Sequence, residues 1–138
     1  MSYSNEAAAK FFLQRAFAIL ADIKRIGNSS NPETLLILSY HSALYASKAL
    51  LYSADILADD EAAILEKMVE GVEKGIATTE MFGILYEMSQ VYAKLNFGDL
   101  TPIKSAESDA AVQNLRSFVR SVREMLEKKY GLIEGLQG

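Results

Sequence analysis

Cysteine is absent from this sequence of 138 residues, and histidine occurs only once, at His41. The first absence excludes disulfides, thiolate nucleophiles and cysteine-ligated zinc or iron–sulfur sites. The single histidine excludes a two-histidine metal centre within one chain and any catalytic group that needs two imidazoles. We therefore predict neither a cofactor nor a bound metal.

Long hydrophobic runs are lacking as well. Lys10 and Arg15 interrupt the apolar residues near the N-terminus, so this segment resembles neither a signal peptide nor a membrane span. We expect a cytoplasmic protein without a membrane partner, and the absence of cysteine is compatible with that compartment.

The net charge of −4 is unevenly distributed. Residues 55–99 contain ten acidic and three basic residues, whereas residues 104–129 contain six basic and four acidic ones. An acidic protein is not a general nucleic-acid binder, because phosphate contacts need clustered lysine and arginine. The charge distribution is still compatible with a local basic face on the last third of the chain.

Proline occurs only at positions 32 and 102, and both lie in segments rich in turn formers. Between these breaks the apolar residues recur at helical spacing, without β-strand alternation. Pro32 is suited to the first turn of a second helix, which we expect to run to about residue 57. The third helix has a predicted buried stripe that includes Ile64, Met68 and Val69, and it is open whether this helix continues past Thr78 or a new one begins there.

The sequence thus predicts an all-α, antiparallel up-and-down bundle of four to five helices. We expect a single domain over residues 1–138, with an ordered core at about 5–130 and a flexible tail at 131–138.

The second helix carries a polar stripe of His41, Tyr45, Lys48 and Tyr52, spaced four, three and four residues apart. This stripe could hold a phosphate or a nucleotide. We favour the alternative that the rings pack at an interface while Lys48 reaches water. A structural role for His41 is likewise favoured over a general base.

Arg116, Arg120 and Arg123 form a second stripe, on the last helix, that could follow an RNA backbone. Pairing of Arg120 with Glu124 and of Arg123 with Glu127 would instead make it a solvated face, which we favour. A third cluster is acidic, comprises Asp55, Asp59, Asp60 and Glu61, and fits the start of a helix better than a metal site.

Residues 39–57 resemble the signature helix of the HEPN superfamily, the small helical domains of higher eukaryotes and prokaryotes linked to nucleotide binding. The matching positions are Tyr40, His41, Ala43, Ala46, Lys48, Ala49, Leu50 and Leu51. A second match is the segment AKLNFGDL at residues 93–100, and a third is the closing helix with its Ser/Glu-rich start.

The resemblance implies a helical bundle, usually a homodimer, of a family that includes ribonuclease toxins and partners of minimal nucleotidyltransferases in toxin–antitoxin pairs. Ribonuclease members carry arginine, four to six residues, then histidine. Here the nearest arginine before His41 is Arg25. Tyr92 stands where related members often have an arginine, and Lys94 is the nearest cation. The departure favours a protein without catalytic residues.

We therefore predict a non-catalytic, dimeric HEPN-like protein that binds a partner protein, such as a minimal nucleotidyltransferase, and a nucleotide or RNA. The candidate groove comprises His41, Tyr45, Lys48, Tyr52, Tyr92, Lys94 and Asn96. One alternative is a divergent ribonuclease toxin that uses His41 with Lys48 or with an arginine of the last helix. The other is a purely structural dimerisation module.

Overall fold

The computed structural model describes residues 2–27, 31–96 and 102–136, with side chains for residues 5–27, 31–95 and 102–136. These residues form an all-α bundle, and no β-strand occurs among them. The helices are α1 (Ser2–Ile26), α2 (Pro32–Ser53), α3 (Glu61–Glu73), α4 (Thr79–Asn96) and α5 (Ser105–Tyr130). The prediction of an all-α bundle of four to five helices is confirmed, while its antiparallel order stays a prediction.

Helix α2 lies at the centre of the bundle and contacts each of the other four helices. Its start follows the sequence closely, because Pro32 occupies the first turn and the Asn31 side chain accepts a hydrogen bond from the Thr34 amide at 2.8 Å. Apolar and small side chains cover most of its circumference, so it can be packed on several sides at once.

The end of α2 differs from the prediction, which placed it near residue 57. The helix ends at Ser53, and Asp55 takes a left-handed backbone conformation with a φ of 61°. The Ile56 amide then donates to the Leu51 carbonyl at 2.9 Å, which closes the last turn. Asparagine and aspartate tolerate this conformation better than other side chains. The aspartate at position 55 was therefore the signal in the sequence that α2 could end here.

The sequence left open whether the third helix continues past Thr78. The structure has two separate helices there, α3 and α4. Gly75 has a φ of 76° in the turn between them, and the Thr78 hydroxyl accepts a hydrogen bond from the Met81 amide at the start of α4. In α3, Ile64 and Met68 are buried as predicted. The prediction was wrong for Val69, which is 42% exposed because α3 is packed on one side only.

Residues 131–136 follow α5, within the segment predicted to be a flexible tail. Ile133 is buried, and its amide donates to Glu127 Oε2 at 2.9 Å. The Glu134 carbonyl accepts from the Gln14 side chain of α1 at 3.2 Å. Two contacts therefore hold this stretch against the bundle.

None of the described helices combines the length and the apolar character that a membrane span requires. The candidate site described next is built around α2.

Candidate functional site

Three of the four polar residues singled out on α2 line one cleft, which opens to solvent where α2 faces the start of α3. The cleft has a volume of about 170 Å³. It is lined by His41, Leu44, Tyr45, Lys48, Asp59, Glu61 and Ile64. One ammonium group faces two carboxylates, so the lining has a net charge of −1 when the imidazole is neutral. We call this the His41–Glu61 cleft.

The turn after α2 brings the carboxylates to the cleft. Asp55 reverses the chain, and its Oδ1 accepts a hydrogen bond from Asn5 of α1 at 2.6 Å. Asp60 is the N-cap of α3 and accepts from the Ala63 amide at 2.7 Å. Its two neighbours in the sequence, Asp59 and Glu61, line the cleft on either side of the cap.

Lys48 does not reach freely into water, in contrast to the sequence-based expectation. Its ammonium nitrogen lies 3.7 Å from Asp59 Oδ1 and 4.2 Å from the centroid of the Phe12 ring. Only 15% of the side chain is exposed. A cation that already faces a carboxylate and an aromatic ring is a weak site for a phosphate.

The same Asp59 oxygen accepts a 2.5 Å hydrogen bond from the Tyr52 hydroxyl. That bond, followed by burial, raises the pKa of Tyr52 to about 12. Tyr52 is thus attached to the rim of the cleft through Asp59 rather than lining it.

Two residues of α1 complete this surface, and sequence reasoning missed both of them. The Phe12 ring stacks on Tyr45 at 6.3 Å between centroids and meets Tyr52 edge-on at 5.0 Å. The Arg15 guanidinium lies 5.5 Å from the centroid of Tyr45. Two rings of the predicted stripe are therefore fixed by α1, which makes them a rigid wall.

A cluster of rings lies at the other end of the stripe. The Tyr92 ring of α4 is 5.9 Å from the His41 ring and 4.8 Å from the Tyr40 ring. Tyr92 therefore lies beside His41. Lys94 is exposed and is not among the described residues that line the cleft, and the side chain of Asn96 lies outside the described residues.

Tyr40, a neighbour of the cleft, is fully buried, and its hydroxyl has no hydrogen-bond partner among the described residues. Burial raises its pKa, and the nearby carboxylate of Glu61 raises it further, although that carboxylate is outside hydrogen-bonding geometry. Both effects favour the protonated form of the hydroxyl.

Asp55, Asp60 and Asp59 thus have structural roles in the turn, the cap and the Tyr52 contact, respectively. Within the described parts of the chain, no three histidine, aspartate or glutamate side chains are grouped so that they could hold a metal ion.

A groove between α4 and α5 has a volume of about 290 Å³. Its floor and walls are mainly apolar and include Leu36, Ile84, Met88, Val91 and Ala111. Sequence reasoning missed it, because these residues have the spacing of ordinary core positions.

The arginines of α5 line a third, smaller cavity of about 90 Å³. Arg116, Arg120 and Arg123 meet there with Phe17 and Leu20 of α1. The sequence placed the three arginines on one face, and it did not indicate that α1 lies against them.

No family model, no curated protein and no solved structure matches this chain.

Proposed function

We propose that this protein is a non-enzymatic, HEPN-like binding protein, whose His41–Glu61 cleft holds the base of a nucleoside, a nucleotide or RNA. The observation that carries the proposal is the combination of two aromatic rings, those of His41 and Tyr45, with two carboxylates in a cleft of about 170 Å³. Such a cleft is smaller than the usual pocket for a whole drug-sized ligand, and a single heterocyclic ring system suits it.

The chemistry of the lining favours a base over a phosphate. Tyr45 and His41 place two aromatic rings in the lining, and their positions are supported by Phe12 and Tyr92. Asp59 and Glu61 can accept hydrogen bonds from the N–H groups of a base. The net negative charge would repel phosphates, which we therefore place outside the cleft.

A binding role is also supported by the surroundings of His41. Catalytic cleavage of RNA would call for a cation beside the imidazole to stabilise the developing charge. No arginine is among the described residues that line the cleft, and Lys48 faces Asp59 and Phe12. The divergent ribonuclease remains an alternative in which Lys48, the cation of the cleft, would act while it faces Asp59 and Phe12.

The base-binding proposal is tested by calorimetric titration with the neutral nucleosides and then with the matching nucleotides. Tyr45→Ala and Glu61→Gln are expected to weaken binding by about tenfold or more, which corresponds to about 1.4 kcal/mol. Tyr86→Ala and Glu66→Gln are the matched controls, since both residues are exposed on α4 and α3 and neither lines the cleft. Failure of the folded protein to bind any nucleoside, or equal binding by variants and controls, would reject the proposal.

Incubation of the purified protein with RNA tests its non-enzymatic part. We expect no cleavage. Cleavage that disappears in His41→Ala would establish the ribonuclease alternative instead.

Homodimer formation and the binding of a partner protein belong to the same proposal and are supported by the HEPN resemblance. Sedimentation of the purified chain is expected to give twice the monomer mass of 15.2 kDa. A monomer at all concentrations would contradict the dimer and leave the base-binding test unaffected.

A further inference from the structure

The three arginines of α5 do not all have the carboxylate partners that the sequence predicted for a solvated face. Of the two expected pairs, Arg123 with Glu127 is present, with Nε 3.2 Å from Oε1. The pair of Arg120 with Glu124 is not formed, and no described carboxylate lies within 4 Å of Arg116 or Arg120. Two guanidinium groups therefore face the cavity without a compensating charge.

Arg123 is held in place from two sides. Its guanidinium lies 5.6 Å from the centroid of the Phe17 ring, while Glu127 holds its Nε. Glu127 is itself fixed, because its second oxygen accepts the Ile133 amide at 2.9 Å. An arginine fixed in this way loses little conformational entropy when it binds a ligand.

The floor of the cavity is apolar and contains no competing acid. Phe17 and Leu20 are 4% and 5% exposed, and no carboxylate is among the described residues that line the cavity. Positive charges gathered on one face of the bundle repel each other. A bound anion would remove that repulsion.

We propose that Arg116, Arg120 and Arg123, over Phe17 and Leu20, form a phosphate-binding site distinct from the His41–Glu61 cleft. The planar guanidinium fork matches the oxygen atoms of phosphate, and the cavity of about 90 Å³ has room for one such group. The phosphate can belong to a small phosphoester or to an RNA backbone, since the recognised chemistry is the same. This site goes beyond the base-binding proposal, because it would bind phosphate at a positively charged surface, whereas the cleft is negatively charged.

Two probes test the site at low ionic strength: pyrophosphate by calorimetric titration, and a short single-stranded RNA by fluorescence anisotropy. In Arg116→Gln/Arg120→Gln we expect both affinities to fall by at least about tenfold. The slope of log affinity against log salt for RNA should decrease by about 1.4 if both arginines contact phosphates. The control Lys24→Gln/Lys128→Gln removes two exposed charges away from the cavity and should bind like the unmodified protein.

The variant Arg120→Lys tests whether binding needs the planar guanidinium group or only a positive charge. It keeps the charge, and we expect it to lose part of the affinity because a lysine binds as a point charge. Circular dichroism verifies that each variant is folded, which is expected because Arg116 and Arg120 are exposed.

Binding of pyrophosphate with at least equal affinity assigns the site to small phosphoesters, and stronger binding of RNA assigns it to the backbone. Both outcomes support the proposal. It is overturned if neither probe binds, or if the double variant and its lysine control bind equally. Neutral nucleosides are not used here, so a failure at this site and a failure of the cleft are distinguished.

Discussion

The Tyr52 hydroxyl donates a hydrogen bond to Asp59 Oδ1, and this contact joins the last turn of α2 to the segment that leads into α3. The same oxygen faces Lys48, so a single carboxylate orders two residues of the predicted stripe. Asp59 therefore forms part of the rim of the cleft, although its position in the sequence indicated only the start of a helix.

The Tyr52–Asp59 contact predicts a tyrosine that titrates late. The hydrogen bond raises the pKa of Tyr52 from 10.0 to about 12. Because the pKa of Tyr52 is higher in the folded protein than in the unfolded chain, the contact stabilises the folded protein fully below pH 10. This stabilisation is lost as the pH rises through about 12. Spectrophotometric titration of tyrosinate should show this late step, and Tyr52→Phe should remove one tyrosine from the late part of the curve, to which Tyr40 also contributes.

Asp59→Asn is the complementary variant. Loss of the carboxylate should lower the pKa of Tyr52 toward its ordinary value, because both the hydrogen bond and the charge raise it. An unchanged late step in Asp59→Asn would contradict the contact.

Local patterns predicted the helices well because helix starts are encoded by nearby residues. Asn31 with Pro32, and Asp60 before the apolar spacing of α3, are signals within a few positions of each other. The end of α2 was predicted four residues late, since the left-handed Asp55 is selected by the turn rather than by hydrophobic spacing.

The candidate site was predicted in part, for a similar reason. A helical repeat places His41, Tyr45 and Lys48 on one face, and they do line one cleft. Phe12, Arg15 and Glu61 come from other elements, and their approach depends on how the helices pack. That packing has no signature in a single stretch of sequence.

Two glycines provide a matched test of the turn between α3 and α4. Gly75 has a φ of 76°, which is unfavourable for a residue with a Cβ atom, so Gly75→Ala should destabilise the protein by about 1–2 kcal/mol. Gly83 lies exposed within α4 with open space around it, and Gly83→Ala should stabilise by about 0.5–1 kcal/mol. Urea denaturation measures both, and changes of the same sign would contradict the assigned turn.

Leu51 tests the central position of α2. It is fully buried, and Leu51→Ala should lower the free energy of unfolding by about 2–5 kcal/mol because it leaves a cavity in the core. Leu57, only six residues further on, is 62% exposed, and Leu57→Ala should change that free energy by less than about 0.5 kcal/mol. Similar losses in both variants would mean that the chain after Ser53 is packed differently.

Tyr40 tests whether a hydroxyl is buried without a partner. Removal of an unpaired buried polar group relieves its desolvation cost, so Tyr40→Phe should leave the free energy of unfolding unchanged or raise it by up to about 1–3 kcal/mol. Tyr52→Phe is the control, since it loses a hydrogen bond and should be destabilised by up to about 1 kcal/mol.

Urea denaturation of the two tyrosine variants gives the comparison. A loss of more than about 1 kcal/mol in Tyr40→Phe would show that the hydroxyl has a partner, with Glu61 the nearest described carboxylate. The cleft would then include a bonded Tyr40–Glu61 pair, and Glu61→Gln should weaken that bond as well. If Tyr40→Phe is instead neutral or stabilising, Glu61 is free to accept a hydrogen bond from a ligand, as the base-binding proposal requires.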